Sequence, residues 1–329
     1  MSNTRIRKDF IMSNVYFEDL DHGITMIDAQ LYRQGQVSTY LMIEGDRAAF
    51  IETGTAHSVP GMLSVLEQKG IPPENVDFVI PTHVHLDHAG GAGALMRHLP
   101  NAHMVIHPRG ARHMIDPSKL NAGAAAVYGE AEMERMFGTV VPVPAERVTE
   151  AGDGDELDFN GRVLRFLDTP GHARHHFCVV DEAGDGIFSG DTFGLSYREF
   201  DTERGPFVLP TTTPVQFDPE ALHQSVDRLM AQGLSYMYLT HYSRVGDLKR
   251  LQQDMHELID IYVDLARARA HDGAARHDAL CEDMMQVLIR RLRDHGCRLP
   301  EDDMRTLLDP DIGLNVQGLE IWLDRQTQT

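Results

Sequence analysis

Three histidines and an aspartate fall within six residues at His83-Val84-His85-Leu86-Asp87-His88, directly behind the largely apolar run Val76 to Ile80. A short apolar run bounded by turn residues reads as a buried strand. Alternation beyond it sends His83 and His85 to the same side. Asp87 and His88 fall where the chain turns into a helix start at Gly90-Gly91. Four ligand-type side chains at the mouth of one strand are costly to bury unless a cation binds them. A surface loop that happens to be rich in histidine accounts for one such residue, not for this run between a strand and a Gly-Gly pair.

The segments around the motif place it in an α/β chain. Residues from about Val15 to Leu31 alternate as an opening hairpin, and Ser38–Glu44 and Ala48–Glu52 form a second pair about Gly45-Asp46. Val59 to Lys69, with Gly70 and Pro72-Pro73 behind it, has helix stop signals. Strand, helix, strand in this order predicts layered α/β packing. A short helix over Gly91–His98 and a strand over Ala102–His107 follow. Pro108 to Phe137 is expected to be helical and broken by loops. Strands are predicted at Val140-Val141, Glu156–Phe159, Val163–Leu167, Phe177–Val180, Gly186–Phe188 and Tyr236–Leu239. Asp218 and Pro219 suit the N-cap and first position of an amphipathic helix to Gln232. Beyond residue 245 the chain turns helical. Leu248, Leu251, Met255, Leu258, Tyr262 and Leu265 recur at helical spacing, Leu280 to Leu292 makes a second helix stopped by Gly296, and two shorter helices are expected at Glu301–Leu308 and Val316–Arg325. These stripes are core contacts in the first place, and they also offer a homodimer interface.

Further ligand types stand at other strand ends: His172 in Thr169-Pro170-Gly171-His172, Asp191 in Ser189-Gly190-Asp191-Thr192, and His241 in Thr240-His241-Tyr242. The types and order of these residues together with the His83–His88 cluster resemble the metallo-β-lactamase superfamily of metallohydrolases, over about residues 10 to 245. The resemblance implies an αββα sandwich for residues 1–245, with 246–329 as a helical C-terminal extension. It also implies two metal sites: His83, His85 and His172 on one ion, Asp87, His88 and His241 on the other, and Asp191 bridging them. Zinc is the expected metal, with iron or manganese as alternatives. Two divalent ions sharing a water make a hydroxide near neutral pH, so the implied activity is hydrolysis of an ester, thioester or lactone. Asp87 is expected to handle the proton, and Tyr197, shortly after Asp191, to assist at the carbonyl oxygen. Glu52 stands where many relatives carry Asp, as a support behind the ligands. His176 is read as a core or supporting residue, and His103, His107 and His113 as structural. Tyr128, Tyr197, Arg198 and Phe200 are expected to line the pocket, with Tyr242 another phenol near a ligand.

Bulk properties narrow the partners. A formal net charge of −20 opposes the basic footprint a nucleic-acid binder needs, so a small-molecule substrate is expected. No apolar run approaches a membrane span, and the first residues lack the apolar core of a secretory signal. The three cysteines, Cys178, Cys281 and Cys297, are too scattered for a disulfide framework. A cytoplasmic protein is expected, which argues against β-lactam hydrolysis. Within the resemblance, Ala173-Arg174-His175-His176 replaces the Thr-x-Gly-His of glyoxalase II-like enzymes, and Gly194 stands where lactonases often carry Tyr. A di-iron redox or oxygen-sensing protein is the competing reading. Such proteins commonly carry Glu at the position of His85, and imidazole there favours zinc-type hydrolysis. A weakly catalytic ligand-binding protein is the third.

Overall fold

The computed structural model describes residues 15–212 and 215–326, without the side chains of Val127 and Tyr128. The side chain of Tyr128, expected at the pocket, therefore lies outside what the structure describes. Strands β1 (Phe17–Asp19), β2 (Ile24–Asp28), β3 (Ser38–Glu44), β4 (Arg47–Ile51), β5 (Val76–Ile80), β6 (His103–Ile106) and β7 (Val148–Glu150) lie side by side in that order in one seven-stranded sheet. Strands β8 (Glu156–Phe159), β9 (Arg162–Asp168), β10 (Phe177–Asp181), β11 (Gly186–Gly190), β12 (Tyr236–Leu239) and β13 (Ser243–Val245) form a six-stranded sheet. β4 to β7 run parallel, while β1 to β4 are joined antiparallel on one side of them.

Alternation along the strands divides the core into layers. Tyr40, Met42, Ala49 and Ile51 of the first sheet meet Phe166, Phe177, Val179, Phe188 and Tyr238 of the second. The residues between them point outwards. Leu41, Ala48 and Phe50 pack under α1 (Val59–Gln68), α2 (Leu86–Ala89), α3 (Ala92–Met96), α4 (Pro108–Ile115), α5 (Ser118–Tyr128) and α6 (Glu130–Phe137). Cys178, Val180, Ile187, Met237 and Leu239 face α7 (Pro219–Met230), α8 (Leu248–Ala268), α9 (Arg276–His295) and α10 (Glu301–Gln326). Helix, sheet, sheet, helix is the expected αββα sandwich. The C-terminal helices share one continuous apolar cluster with the second sheet.

Three details differ from expectation. Val140-Val141 form no strand, and the seventh strand lies at Val148–Glu150 instead. β13 is added beside β12. The two short C-terminal helices are one helix of 26 residues running through Pro310. Proline forgoes a single backbone bond there. Met304, Leu308, Ile312, Val316, Leu319 and Leu323, on both sides of it, are all buried, and that continuous stripe holds the helix together.

Candidate metal centre

The strand-end residues converge. The end of β5, the turn after β9, the end of β11 and the turn after β12 bring one ligand atom each of His83, His85, His172 and Asp191 within 4.8 Å of one another, and likewise Asp87, His88 and His241. Asp191 joins the two groups. Its Oδ2 lies 3.3 Å from His172 Nε2, and its Oδ1 lies 3.3 Å from both His88 Nε2 and His241 Nε2. Asp87 Oδ2 sits 3.6 Å from the same two nitrogens of His88 and His241. All seven residues that the sequence singled out as ligands are thus brought together.

The polypeptide makes close passes to achieve this. Gly190 has φ +49, and a Cβ there would stand 2.4 Å from His176 Nε2 and 2.6 Å from Thr82 Oγ1. Gly171 has φ +130, and its Cβ would meet the backbone of Leu222 in α7 at 2.4 Å. Glycine is required at both.

Hydrogen bonds behind the ligands decide which ring nitrogen faces inward. His83 Nδ1 meets Thr82 Oγ1 at 3.2 Å, His88 Nδ1 meets Glu52 at 3.0 Å, His172 Nδ1 meets Thr211 Oγ1 at 2.9 Å, and His241 Nδ1 meets the Gln36 carbonyl at 3.1 Å. Each arrangement leaves Nε2 for the centre. This is the outer support that orients metal-bound imidazoles. His85 instead turns Nδ1 inward, 3.1 Å from His172 Nε2. Glu52 is the hub of this support. Its buried carboxylate accepts from Thr82 N at 3.0 Å, Thr82 Oγ1 at 2.5 Å, His88 Nδ1 and, at 2.9 Å, Thr240 Oγ1 beside His241. His176, in the supporting role expected of it, accepts from Asp191 N at 3.1 Å and meets Thr169 Oγ1 at 2.9 Å.

The electrostatics separate the two groups. Burial, with neighbouring imidazoles adding, pushes His83 and His85 well below the usual histidine range, and burial also lowers His172. For His88, burial pulls downward, but Asp87, Asp191 and Glu52 outweigh it and hold the imidazole well above its ordinary value. His241 is raised in the same way, chiefly by Asp191. Burial would raise Asp191, yet His88, His241 and His172 keep its carboxyl far below the carboxylate range.

Among the described residues, His83 Nε2, His88 Nε2 and Asp191 Oδ1 are buried without a hydrogen-bond partner. Orphaned buried polar atoms are rare and costly, and three of them face one another here. Nitrogen and carboxylate donors in this arrangement fit divalent transition metals.

A sequence profile of the Metallo-beta-lactamase superfamily matches residues 32–241. The chain belongs to that superfamily. A metallo-beta-lactamase fold-containing protein of Sulfurisphaera tokodaii is 26% identical over 198 residues, which span 59% of this chain and 68% of that one. An atrochrysone carboxyl ACP thioesterase of Aspergillus fumigatus is 24% identical over 305 residues, 88% of this chain and 81% of its own. The solved structure of a metallo-beta-lactamase family protein from Thermus thermophilus superposes with a TM-score of 0.65 at 20% identity, covering 93% of this chain and 94% of that one. That likeness shows the fold. No helix among the described residues is long and apolar enough to cross a membrane.

The expected pocket residues fall into different places. Tyr197 is buried, its ring 4.6 Å from that of Tyr242 and 5.0 Å from Phe200, and its hydroxyl has no partner among the described residues. Arg33 stacks over both tyrosines, donates to the Tyr242 hydroxyl, and pairs with Glu199 at 2.8 Å. Arg198 folds back onto Ser196. His107 caps α4 through Arg109 N and pairs with Asp168 at 3.2 Å, a structural role. His175 is nearly buried beside His83 and His85, and burial lowers its imidazole to about 3. Asp311, Asn315, Thr211, Arg33 and Gln36 were not anticipated. Burial pushes the Asp311 carboxyl up to about 7; Arg33 opposes this, and Asp191 and Asp87 add to it. Asp311 therefore brings α10 within electrostatic reach of the centre. None of these residues carries a local sequence signal, because each acts across a contact between distant segments.

Proposed function

We propose that the protein is a metal-dependent hydrolase of an acyl substrate, with thioesters first and esters and lactones next. The observation that carries this reading is the convergence of two ligand groups on the two oxygens of Asp191. Hydrolytic relatives support it, including the thioesterase that aligns with most of this chain. His83, His85, His172 and Asp191 would hold one divalent ion, with Asp87, His88 and His241 joining Asp191 on the second. Two such ions, when bound, would lower the pKa of a water and polarise the acyl carbonyl.

The residues of the chain supply the rest. Neutral His83, His85 and His172 offer lone pairs without first losing a proton. Glu52 fixes the ring of His88 directly and that of His83 through Thr82. Asp87, a quarter exposed, would take up the proton of the attacking water and hand it to the leaving group. Tyr197 packs on Tyr242, the residue after His241, and the Tyr197 hydroxyl is the group proposed to assist at the carbonyl oxygen. The three free thiols fit a reducing compartment. Zinc is the proposed metal.

Metal content of protein purified without chelator, followed by a panel of thioesters, esters and lactones, tests the reading. About two zinc ions per chain with hydrolysis of one class is the expected result. Iron with a redox-sensitive absorption band would transfer the protein to the di-iron class. No metal bound, and none taken up on reconstitution, overturns the centre.

A further inference from the structure

The loop at residues 209–212 joins the metal centre to the far end of the chain. Thr211 Oγ1 lies 2.9 Å from His172 Nδ1 and donates to the Asp191 carbonyl at 3.3 Å. A hydroxyl has one proton. Spent on Asp191, it leaves Thr211 as an acceptor, so His172 must carry its proton on Nδ1 and present Nε2 to Asp191 and His85. Thr211 thus selects the tautomer and ring orientation of one ligand while touching the backbone of another.

The residues on either side of Thr211 are held by a single side chain of α10. Asn315 Nδ2 donates to the Pro210 carbonyl at 3.1 Å, and its Oδ1 accepts from Thr212 N at 2.6 Å. Thr212 Oγ1 closes the clamp on the Asn315 carbonyl at 2.9 Å. Asn315 is 1% exposed and stands next to the apolar stripe of α10. Burying an amide there is costly unless its bonds are all made, and an apolar residue would serve packing alone. Asp311, one helical turn earlier, shares that face and lies within electrostatic reach of Asp191 and Asp87.

We propose that Asn315 is a positioning residue of the metal centre: it clamps Pro210 and Thr212 so that Thr211 holds His172 in its metal-binding orientation. The C-terminal helix is then part of the ligand scaffold as well as a cover for the second sheet. This inference rests on the metal-centre reading above.

The test compares full-length wild type with Asn315→Ala, Thr211→Val, Thr211→Ser and Val316→Ala, measuring metal affinity by chelator competition and the visible spectrum of the cobalt-substituted proteins. Loss of such outer support lowers metal affinity ~10–100-fold, which is expected for Asn315→Ala and Thr211→Val, with an altered cobalt band. Thr211→Ser keeps the hydroxyl and should retain wild-type affinity. The double variant Asn315→Ala/Thr211→Val should be no weaker than Thr211→Val alone. Val316 is fully buried in α10, so Val316→Ala should lower the melting temperature without moving affinity. If Asn315→Ala does not fold, Asn315→Asp, which keeps the acceptor for Thr212 N but loses the donor to the Pro210 carbonyl, replaces it. Wild type that binds no metal would sink the metal-centre reading and this inference with it. Wild type that binds two ions while the Asn315 variant binds equally well would overturn the inference alone, whatever Thr211→Val does. So would an equal loss in Val316→Ala, because general loosening of α10 would then explain everything.

Discussion

Glu52→Gln is the substitution that most directly tests how the centre is held. The carboxylate is 1% exposed and accepts four hydrogen bonds, three on Oε1 and one on Oε2. Glutamine has the same length but can place an oxygen at only one of these positions. With its oxygen at the Oε1 position, its NH2 group faces the Thr82 N–H, a donor against a donor. An unsatisfied buried donor costs about 1–3 kcal/mol, and the three remaining bonds lose their charge assistance, which roughly halves each one. Together these amount to about 3–7 kcal/mol of stability in chelated protein, read as the shift of a urea unfolding curve followed by circular dichroism. Metal affinity should also fall ~10–100-fold, because His88 and His83 lose their orienting partner. Glu52→Asp separates charge from reach. Its side chain keeps the charge but is shorter by one methylene, so bonds of 2.5–3.0 Å cannot all be kept. It should cost at least as much as Glu52→Gln. If both variants stay within about 1 kcal/mol of wild type and keep its metal affinity, the hub role assigned to Glu52 is wrong.

Other perturbations have equally definite outcomes. Gly171→Ala places a Cβ against the Leu222 backbone, so overpacking of about 1–3 kcal/mol plus the φ strain should lower the melting temperature and weaken metal binding together. Unchanged values would show that α7 can retreat freely. Burial raises the Cys178 thiol to about 12 against an ordinary 9.0. Its contribution to stability is therefore complete below pH 9 and lost as pH rises from 9 towards 12; iodoacetamide at pH 8 should spare Cys178 in the native protein and label the half-buried Cys281 first, as peptide mass mapping would show. The raised Asp311 carboxyl works the same way over a lower window, from 3.8 to about 7. Chelated protein should lose up to about 4 kcal/mol on its account across that range, and Asp311→Asn should flatten the loss in unfolding curves taken at successive pH values. Tyr197→Phe should lower kcat with KM little changed if the hydroxyl assists at the carbonyl; full retention of kcat assigns Tyr197 to packing alone.

The parts of this protein that were legible in its sequence are those encoded by local period or local chemistry. β3, β4 and β10 stand out as short, largely apolar runs bounded by turn residues, and a pleated strand then presents successive side chains to opposite sides, here the other sheet and the helices. His83, His85, Asp87 and His88 announce themselves because ligand-type side chains at one strand end are neighbours in sequence. Asp218 before Pro219 marks the start of α7, and its side chain does accept from Ala221 N at 3.2 Å. Where the expectation erred, a distant contact overrode a local signal. Glu301–Leu308 and Val316–Arg325 read as two short helices, and the apolar stripe on both sides of Pro310 carried one helix through. Val140-Val141 read as a strand, but the edge of β6 is taken by Val148–Glu150.

The support of the centre lies beyond any local reading for a physical reason. A ligand needs a lone pair of a given type, which few residues offer, whereas its outer partner needs only a donor or acceptor at the right point in space. For the imidazoles, that point is filled by a glutamate for His88, a threonine hydroxyl for His172 and a backbone carbonyl for His241. The identities differ while the task is the same, so no spacing records it. Only the fold brings Asn315 to Thr212, 103 residues away in sequence. On the proposed function, the same reasoning says where substitutions would act: those among the histidines would remove a metal, whereas those at Glu52, Thr211 and Asn315 would leave the ligands in place and loosen the geometry for binding.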